Sequence, residues 1–384
     1  MKNIPYSRQY IDNKDLKRVN KVLKSDFLTK GKQTLIFEKS IENNFKCNHA
    51  VSTINASSAL ILACKALNLR KNDYVWTSAI TYIASINCAL HCEANIGLVD
   101  IDQDTNNISL EDLKKKLILA KKKNILPKIL IVVHLGGLPC DLLSIHKLSK
   151  KYNFKIIEDA SHAIGSKYKG LPIGNCKYSA MTVFSFHPVK TITSAEGGVI
   201  TTNNKNIYNK LVLLRENGHK KIDNFNDPNF YDVTDLGFNF RINEINACLG
   251  ISQLKNLTKF IKKKNLIALK YFELLDKRNL EVPKYNKNLV HSWHLFIIKV
   301  NFNNLKISKS QFIKKLRKKK IFLNTHYIPL YKFSLIKKFI KRENFKNSEN
   351  YYKNAISIPI YPQMTSKEQA YVISNLNKEL SNTR

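Results

Sequence analysis

The sequence predicts an α/β fold, with a large domain built on a mostly parallel seven-stranded sheet and a smaller α+β domain at the C-terminus. The chain of 384 residues is too long for one ordinary hydrophobic core, which favours two domains. Over the first two thirds of the chain, short apolar segments alternate with amphipathic ones, as in a parallel sheet covered by helices on both faces. From Arg241 onwards the pattern changes to long helical segments followed by a strand.

Seven segments are mostly apolar without a regular alternation, which is typical of strands buried on both faces of a sheet. They are residues 50–54, 73–79, 94–102, 128–134, 154–160, 181–187 and 197–202. The segments between them that have apolar residues three and four positions apart predict helices over residues 57–68, 82–91, 109–123 and 142–152. This alternation predicts an α/β layer architecture.

The last third of the chain has a different order of elements. Residues 243–276 predict a long helix or a helix pair, residues 291–302 predict a strand, and residues 308–320 predict a helix with Ser308 as its N-cap. We therefore expect a large domain at residues 1–250 and a small domain at residues 251–384. The first 24 residues are expected to pack on the second domain or on a partner subunit.

The composition describes a basic globular protein. Lys and Arg total 64 against 29 Asp and Glu, and the net charge of +35 attracts anions such as nucleic acids, acidic lipids or phosphorylated metabolites. The lysines are scattered in short runs, without an arginine-rich arm or zinc-finger spacing, so we favour solvated helix faces over nucleic-acid binding.

The cysteines and the hydropathy of the sequence indicate the cellular compartment of the protein. The seven cysteines are scattered and form no C-x-x-C pair, which disfavours a disulfide framework or a structural metal site. The N-terminus lacks the apolar run of a signal peptide, and no stretch approaches the ~18 apolar residues of a membrane span. We expect a cytoplasmic protein without a metal or a membrane partner.

One candidate phosphate site follows the first strand. Asn55 to Ala59, with the sequence NASSA, opens a helix directly after residues 50–54. Small residues such as Ala56 and Ser57 let backbone N–H groups approach an anion, and the helix N-terminus adds a favourable partial charge. The alternative is an ordinary helix N-cap.

A carboxylate and a histidine follow the fifth strand. Asp159 lies near the end of residues 154–160, at the edge where open α/β sheets bind ligands, and a buried carboxylate there needs a cationic partner. A protonated pyridine nitrogen would be such a partner, and His162 could stack on or hydrogen-bond to the same ring. The alternatives are a helix N-cap at Asp159 and an ordinary buried polar residue at His162.

Lys190 lies in the stretch FSFHPVKTITSAEGG, between the end of a strand and a Glu-Gly-Gly turn. A lysine at such a place, close to Ser185 as a phosphate ligand, can form a Schiff base with an aldehyde. Pyridoxal phosphate (PLP) needs a lysine for its aldehyde, a carboxylate for its ring nitrogen and a helix N-terminus for its phosphate. All three occur in this chain, and their joint occurrence predicts a PLP site.

The stretches NASSAL, EDASHAIGS, FSFHPVKTITSAEGG, GFNFRINEINACLGISQL and THYIPLY together resemble the DegT/DnrJ/StrS family of PLP-dependent sugar-nucleotide aminotransferases. The resemblance runs from about Tyr6 to the end of the chain, and its most specific part is S-F-H-x-x-K with the following E-G-G. It implies the type I aminotransferase fold and an enzyme that is a transaminase.

The resemblance also implies a role for each cofactor residue. Lys190 would bind the cofactor and move the proton between substrate and cofactor, and Asp159 would pair with the pyridine nitrogen. The other implied contacts are His162 at the oxygen side of the ring, Tyr82 on the ring face, and Ala56, Ser57 and Ser185 at the phosphate. Asn239, far along the chain from this phosphate site, would reach the cofactor phosphate of a neighbouring subunit, which implies a homodimer with composite sites.

Within the family, the opening IPYSRQYI, the stretch VLKSDFLTKGKQTLIFE and the sequence TSAEGG look like the pseudaminic-acid branch. That branch transfers an amino group from L-glutamate to the C4 ketone of a UDP-linked 4-keto-6-deoxy-N-acetyl sugar. The implied sugar-nucleotide contacts are Tyr6, Asp26, Phe27, Leu28, Thr29, His326, Tyr327, Ile328 and Pro329. The alternatives are a helix end and turn at residues 26–29 and a core histidine at position 326.

Three other functions remain open from the residues alone. One is transamination of a different nucleotide-linked keto sugar. Another is the dehydratase offshoot of the same family, in which histidine replaces the Schiff-base lysine, and the presence of Lys190 argues against it. The third is a basic nucleic-acid-binding protein without catalysis, which predicts tight, steeply salt-dependent binding and no glutamate turnover.

Overall fold

The structure is a computed structural model that describes residues 2–222, 227, 230–284, 289–340 and 343–381. Its strands are β1 (His49–Thr53), β2 (Tyr74–Ser78), β3 (Asn95–Val99), β4 (Ile129–Val133), β5 (Lys155–Asp159), β6 (Lys167–Tyr168), β7 (Leu171–Pro172), β8 (Met181–Ser185), β9 (Gly198–Thr202), β10 (His219–Lys221), β11 (Tyr231–Val233), β12 (Leu280–Glu281), β13 (Phe296–Val300) and β14 (Ala355–Ile358). Its α-helices are α1 (Asn13–Leu23), α2 (Lys32–Phe45), α3 (Ala56–Ala66), α4 (Ala84–Leu90), α5 (Leu110–Lys122), α6 (Leu142–Tyr152), α7 (Lys205–Arg215), α8 (Glu244–Leu254), α9 (Leu257–Leu274), α10 (Phe302–Leu305), α11 (Lys309–Lys318), α12 (Ser334–Lys337), α13 (Lys346–Asn354) and α14 (Ser366–Ser381).

Seven strands form one sheet in the order β1-β9-β8-β5-β4-β2-β3. β9 runs antiparallel to both of its neighbours, and the other pairs are parallel. The seven predicted strands are therefore confirmed, and so is the mostly parallel sheet. The four predicted helices between them are α3, α4, α5 and α6. The carboxyl ends of β1, β2, β4, β5 and β8 meet at one edge of the sheet, where open α/β sheets bind ligands.

Helices cover both faces of this sheet, which explains why its strands are buried on both faces and mostly apolar. One face is packed with buried side chains from α2, α5, α6 and α8, namely Phe37, Leu117, Ile145 and Ile251. The other face is packed with side chains from α3, α4 and α7, namely Leu62, Ile86 and Leu211. The large domain therefore has three layers, with a helix layer on each side of the sheet.

The C-terminal part has its own antiparallel sheet, β12-β13-β14, and its own core around Tyr271, Phe296 and Phe312. The predicted helical segment at residues 243–276 is a pair, α8 and α9. Side chains of α9 belong to the large-domain core up to Ile261 and to the C-terminal core from Ile267 onwards. The domain boundary near residue 250 stays a prediction. Ser308 caps α11 as expected, since its hydroxyl accepts a hydrogen bond from the Gln311 backbone at 3.1 Å.

The N-terminal residues contact both parts of the chain. Ile4 pairs with Ile321 in a short parallel bridge and is buried in the C-terminal core. On α1, Asp15 accepts a hydrogen bond from Gln253 of α8 at 2.6 Å, and the same amide donates to the Tyr10 backbone. The start of the chain therefore connects the small domain to the helix that covers the large sheet.

Several helices begin without a capping side chain of their own. In two of them, α2 and α13, a carboxylate from a distant element accepts hydrogen bonds from the free N–H groups. Glu244, the first residue of α8, accepts from the Gln33 backbone of α2 at 2.6 Å. Asp100, directly after β3, accepts from the Asn347 and Ser348 backbones of α13 at 3.0 and 2.9 Å. Each carboxylate thus caps a helix and ties two elements together. Among the residues that the structure describes, no helix is long and apolar enough to cross a membrane.

Candidate active site

A cavity of about 680 Å³ opens at the carboxyl edge of the large sheet. Its walls contain these residues of the predicted site: Tyr6, Ala56, Ser57, Tyr82, Asp159, His162, Ser185, Lys190, His326, Tyr327 and Ile328. The remaining predicted residues are not part of its walls: Asp26, Phe27, Leu28, Thr29, Asn239 and Pro329. The cavity therefore brings together the predicted lysine, carboxylate and helix N-terminus, although the helix N-terminus lies more than 100 residues before the other two in the chain.

One wall of the cavity is the N-terminus of α3. Asn55 caps this helix, since its side chain accepts a hydrogen bond from the Ser58 backbone at 2.9 Å. Within the described residues, nothing accepts a hydrogen bond from the N–H groups of Ala56 and Ser57. A Cβ atom on Gly198 would lie 2.4 Å from the Asn55 carbonyl oxygen, so glycine is required where β9 passes this turn. The free N–H groups and the helix dipole together suit an anion.

Lys190 lies on the opposite side of the carboxyl edge, in a turn closed by its backbone N–H, which donates to the His187 carbonyl at 2.9 Å. Burial lowers the pKa of Lys190 to about 8, and the negative charge of Asp159 opposes this shift. A Cβ atom on Gly197 would lie 2.2 Å from the Ser194 hydroxyl, so the following turn also requires glycine. An amine with a lowered pKa is neutral more often, and the neutral form is the nucleophile.

Asp159 is buried at the end of β5 and has no cationic side chain within salt-bridge distance among the described residues. Its Oδ2 atom accepts from the Ser85 hydroxyl at 2.7 Å, and Oδ1 accepts from the Ser161 backbone at 3.1 Å. Ser85 in turn lies 2.9 Å from the Thr81 hydroxyl. These contacts orient the carboxylate and leave its charge without a counter-ion, which suits a protonated ring nitrogen.

Ser85 and Thr81, which support the Asp159 carboxylate, were not predicted from the sequence. Both hydroxyls are buried beside a residue that was predicted, because Ser85 lies three positions after Tyr82 on the first turn of α4. That spacing was visible in the sequence, but nothing in it indicated that this turn of α4 faces the end of β5. Tyr82 itself is 56% exposed and lies on the cavity wall, where an aromatic ring can cover a ligand.

Histidines and tyrosines form the wall that faces the small domain. His162 is buried, its Nδ1 accepts from the Gly136 backbone at 3.3 Å, and its Nε2 lies 2.9 Å from the Tyr327 hydroxyl oxygen. His326 is 6% exposed and its Nδ1 lies 2.8 Å from the Ser357 hydroxyl. His326 is therefore both a largely buried residue and a residue of the cavity wall.

Residues 26–29 form an exposed turn after α1, outside the cavity. Phe27 is 64% exposed and Leu28 is 44% exposed, and the Leu28 carbonyl accepts from the Glu244 backbone at 2.9 Å. Asn239 is also exposed, but the next residue, Phe240, accepts a hydrogen bond from the Ile54 backbone at 2.8 Å. The segment therefore runs beside the start of α3 in its own subunit, and distance along the chain does not separate them. Pro329 is buried behind the cavity wall.

The residues of the cavity fit PLP. The amine of Lys190 suits an aldehyde, the Asp159 carboxylate lacks a cation, and the free N–H groups at Ala56 and Ser57 suit a phosphate. Tyr82 adds an exposed aromatic face on the same wall. The side chains in the cavity and the order of the motifs in the sequence therefore both fit PLP.

Comparisons with known proteins point the same way. A family model described as the DegT/DnrJ/EryC1/StrS aminotransferase family matches residues 9–377 of the chain. A Campylobacter jejuni protein named UDP-4-amino-4,6-dideoxy-N-acetyl-beta-L-altrosamine transaminase is 35% identical over 377 residues, which cover 97% of this chain and 96% of that protein.

Comparison with solved structures shows that the similarity covers the whole fold. Helicobacter pylori PseC, described as an aminotransferase involved in the biosynthesis of pseudoaminic acid, has a TM-score of 0.91 and 29% identity over 99% of both chains. The PLP form of Spr1654 from Streptococcus pneumoniae has a TM-score of 0.89 and 25% identity over 100% of both chains. The likeness therefore includes a protein solved with PLP in the same fold.

Proposed function

Because the chain belongs to the DegT/DnrJ/EryC1/StrS aminotransferase family, we propose that it transfers an amino group from L-glutamate to the C4 ketone of a UDP-linked 4-keto-6-deoxy-N-acetyl sugar. The chain is a PLP-dependent sugar aminotransferase with the type I aminotransferase fold. The name of the Campylobacter jejuni relative supports this particular sugar, and the description of PseC supports a role in making pseudaminic acid. Our proposal for this chain is therefore UDP-4-amino-4,6-dideoxy-N-acetyl-beta-L-altrosamine transaminase.

The observation that carries the proposal is the meeting of Lys190, Asp159 and the free N–H groups of α3 in one cavity. Bound PLP supplies an aldehyde that accepts an amino group and a ring that accepts electrons. In our proposal Lys190 holds the aldehyde carbon and carries a proton to and from the substrate carbon. Asp159 keeps the ring nitrogen protonated, and Ser85 and Ser161 hold that carboxylate in place.

The other predicted cofactor contacts are assigned by their position on the same walls. We propose that Ala56, Ser57 and Ser185 hold the phosphate, that Tyr82 covers one face of the ring, and that His162 lies at its oxygen side. Ser57 and Ala56 bring two N–H groups that have no other acceptor in the described residues. A phosphate dianion would satisfy both of them and interact with the positive end of α3.

The sugar nucleotide is assigned to the remaining part of the cavity. Tyr6, His326, Tyr327 and Ile328 line it, and the ring centroids of Tyr6 and His326 lie 4.8 Å apart. A cavity of about 680 Å³ is within the ~300–1,000 Å³ typical of small-molecule sites. Pro329 lies behind this wall and is proposed to fix its backbone rather than to touch the sugar.

We propose that a second copy of the chain completes each site. Residues 26–29 and Asn239 do not line their own cavity. Glu216 lies between the two segments, because it pairs with Lys30, directly after residue 29, at 3.8 Å and forms a bridge with Asn239. The surface around them also exposes large apolar side chains: Phe27, Leu28, Leu35, Ile36 and Leu236. Such a patch is typical of a subunit interface, and a two-fold axis would bring each loop to the partner's cavity.

The experiment that tests this function uses the purified protein with PLP, L-glutamate and a set of UDP-linked 4-keto sugars. We expect the visible absorbance of the bound cofactor to disappear with glutamate and to return with the 4-keto-6-deoxy-N-acetyl sugar, with the amino sugar detected by mass spectrometry. Lys190→Ala is the control and should form no product. If the absorbance returns only with a different keto sugar, the proposed substrate is rejected. If the absorbance does not change with glutamate, the proposed donor is rejected.

A further inference from the structure

The hydrogen bonds around His162 fix which of its ring nitrogens carries a proton. The Gly136 backbone donates to Nδ1 at 3.3 Å, and a nitrogen that accepts a hydrogen bond holds no proton of its own. Burial, together with the positive charge of Lys190, lowers the pKa of His162 well below its usual value, so the ring is neutral. A neutral ring has one proton, and it is therefore on Nε2.

The position of that proton fixes the direction of the next hydrogen bond. His162 Nε2 lies 2.9 Å from the Tyr327 hydroxyl oxygen, so the histidine donates and the tyrosine accepts. The hydroxyl hydrogen of Tyr327 must then point elsewhere, and within the described residues it has no protein acceptor. Burial raises the pKa of Tyr327 well above its usual value, so the hydroxyl keeps this hydrogen.

Tyr327 is one of the residues that line the cavity, so its free hydrogen is available to a ligand bound there. It lines the cavity together with Tyr82, whose ring centroid is 5.8 Å away, and its own ring stacks on His162 at 5.9 Å. A donor whose oxygen already accepts one hydrogen bond is more polarised, because successive hydrogen bonds strengthen each other. The chain of donors from Gly136 through His162 to Tyr327 therefore ends at a position for a ligand oxygen.

We propose that Tyr327 is a catalytic residue that gives its hydroxyl hydrogen to the ketone oxygen of the substrate, and that His162 positions it for this step. The proposal rests on the proposed function, since it needs a ketone in the cavity. A ketone oxygen that is replaced by nitrogen leaves as water and gains two protons, while the incoming nitrogen loses two. Tyr327 would carry these two protons one after the other, each time giving its hydroxyl hydrogen to the oxygen and taking a proton from the nitrogen, so it ends as it began.

Tyr327→Phe is the first test, because it removes the hydroxyl and keeps the ring. A donor placed at a reacting oxygen contributes on the order of 10²-fold in rate, and we expect kcat for the keto sugar to fall by about that factor with KM little changed. Tyr331→Phe is the matched control, since that hydroxyl donates to Glu349 at 2.9 Å and is not on the cavity wall. An unchanged kcat in Tyr327→Phe would overturn the proposal.

The Tyr327 hydroxyl could instead donate its hydrogen to the ring oxygen of the cofactor, and the affinity for PLP distinguishes this acceptor from the ketone oxygen of the substrate. The apoprotein is titrated with PLP while its tryptophan fluorescence is measured, without any substrate. We expect Tyr327→Phe to bind PLP as wild type does, within about threefold, because its hydroxyl serves the substrate. A loss of affinity on the order of tenfold or more, about 1.4 kcal/mol, would overturn the proposal and assign the hydroxyl to the cofactor.

The role of His162 is tested by a double-mutant cycle. His162→Leu removes the donor to Tyr327, whereas His162→Gln keeps an N–H group that can reach it. We expect His162→Leu to lower kcat further in the wild-type background than in the Tyr327→Phe background, and His162→Gln to retain more activity than His162→Leu. Equal effects in both backgrounds would mean that His162 does not act through Tyr327.

A measurement on the protein alone distinguishes this proposal from the proposed function. Nitrogen-15 NMR of histidine-labelled protein, with the His162 signals identified by their loss in His162→Gln, reports which ring nitrogen carries the proton. We expect protonated Nε2 and unprotonated Nδ1. A proton on Nδ1, or on both nitrogens, would overturn the donor chain whatever sugar the enzyme uses. If no keto sugar is aminated by wild type, the proposed function fails and this result still stands.

Discussion

At the scale of single residues, Lys190 and Lys264 are two amines that the fold removes from water. Lys264, on α9, is 1% exposed, and its Nζ donates to the Thr191 hydroxyl at 3.4 Å, next to Lys190. Burial and the positive charge of Lys190 lower the pKa of Lys264 to about 7. The positive charge of Lys190 therefore hinders protonation of the buried Lys264, because a like charge disfavours the charged form.

For Lys190 we expect reactivity that rises through a pH of about 8 in the apoprotein, because burial lowers its pKa to about that value. Trace acylation at a series of pH values, with each lysine quantified by mass spectrometry, measures this directly. Lys115 is an internal control on an exposed helix face, where the hydrogen bond and charge of Glu111 raise its pKa. Lys190 titrating together with Lys115, near the ~10.4 of an ordinary lysine, would contradict the expectation.

For Lys264 the lowered pKa has a consequence for stability. An ordinary lysine in the unfolded chain has a pKa of about 10.4, so folding expels a proton between that pH and about 7. The unfolded state then binds more protons, and the free energy of unfolding falls as pH falls through this window.

We therefore expect Lys264→Met to raise the urea midpoint relative to wild type at about pH 7, because methionine fills similar space without a charge. The gain should shrink as pH rises towards about 10, because proton binding by the unfolded chain weakens as the pH approaches its lysine pKa of about 10.4. Urea titrations at both pH values measure it, with the exposed neighbour variant Lys263→Met as the control. A gain that is the same at both pH values would show that protonation of Lys264 is not its cause.

Most of the residues that were predicted for the site line the cavity, because their motifs lie at the ends of strands that meet at one edge of the sheet. Lys190, Asp159 and Ser57 each follow a strand at the same edge of the sheet, and the strand pattern was readable. Ser85 was missed because its role depends on which turn of α4 faces β5. The proton position on His162 depends on the Gly136 backbone, which is 26 residues away and carries no side-chain signal.

At the scale of elements, strands could be read from the sequence more easily than their order in the sheet. The seven strands of the large sheet are mostly apolar, and all were found. β9 pairs with its neighbour along the chain, β8, but its pairing with β1 joins residues about 150 positions apart, and no local pattern records that pairing. Short strands such as β6 and β10 have too few residues for an alternation to be recognised.

Asp100, which caps α13 from a distant part of the chain, gives a prediction at the scale of elements. Asp100→Asn removes the negative charge that faces the N–H groups of Asn347 and Ser348, and a lost cap costs about 1 kcal/mol. We expect faster hydrogen exchange in α13 and a lower thermal midpoint, with α3 unaffected. Asp104→Asn is the control, since its exposed pair with Lys284 should contribute little. Equal exchange in α13 of both variants would mean that Asp100 does not hold this helix.

At the scale of the whole molecule, the proposed dimer predicts complementation between two inactive chains. A mixed dimer of Lys190→Ala and Asn239→Asp chains would have one site with both defects and one site with neither, if Asn239 acts on the partner's cofactor. The carboxylate in Asn239→Asp should repel the phosphate. We expect activity above the sum of the parents after the chains are mixed and exchanged.

The rival possibility is that Asn239 acts only in its own subunit, where Phe240 already contacts Ile54 at the start of α3. Every site of a mixed dimer would then have one defect, and activity would not recover. Native mass spectrometry must show mixed dimers in the same sample. Mixed dimers without recovered activity would reject a site shared between subunits.

The pairing of β1 with β9 also matters while the chain is being synthesised. β1 is an edge strand with β9 as its one neighbour in the sheet, and His49 lies opposite Thr202, 153 residues later. At ~5–20 residues per second, about 8–30 s of translation separate the two strands. During that time β1 can pack only on elements made beside it, such as α2 and α3. In the nascent chain β1 therefore has no strand partner of this sheet until the Glu-Gly-Gly turn and β9 have been made.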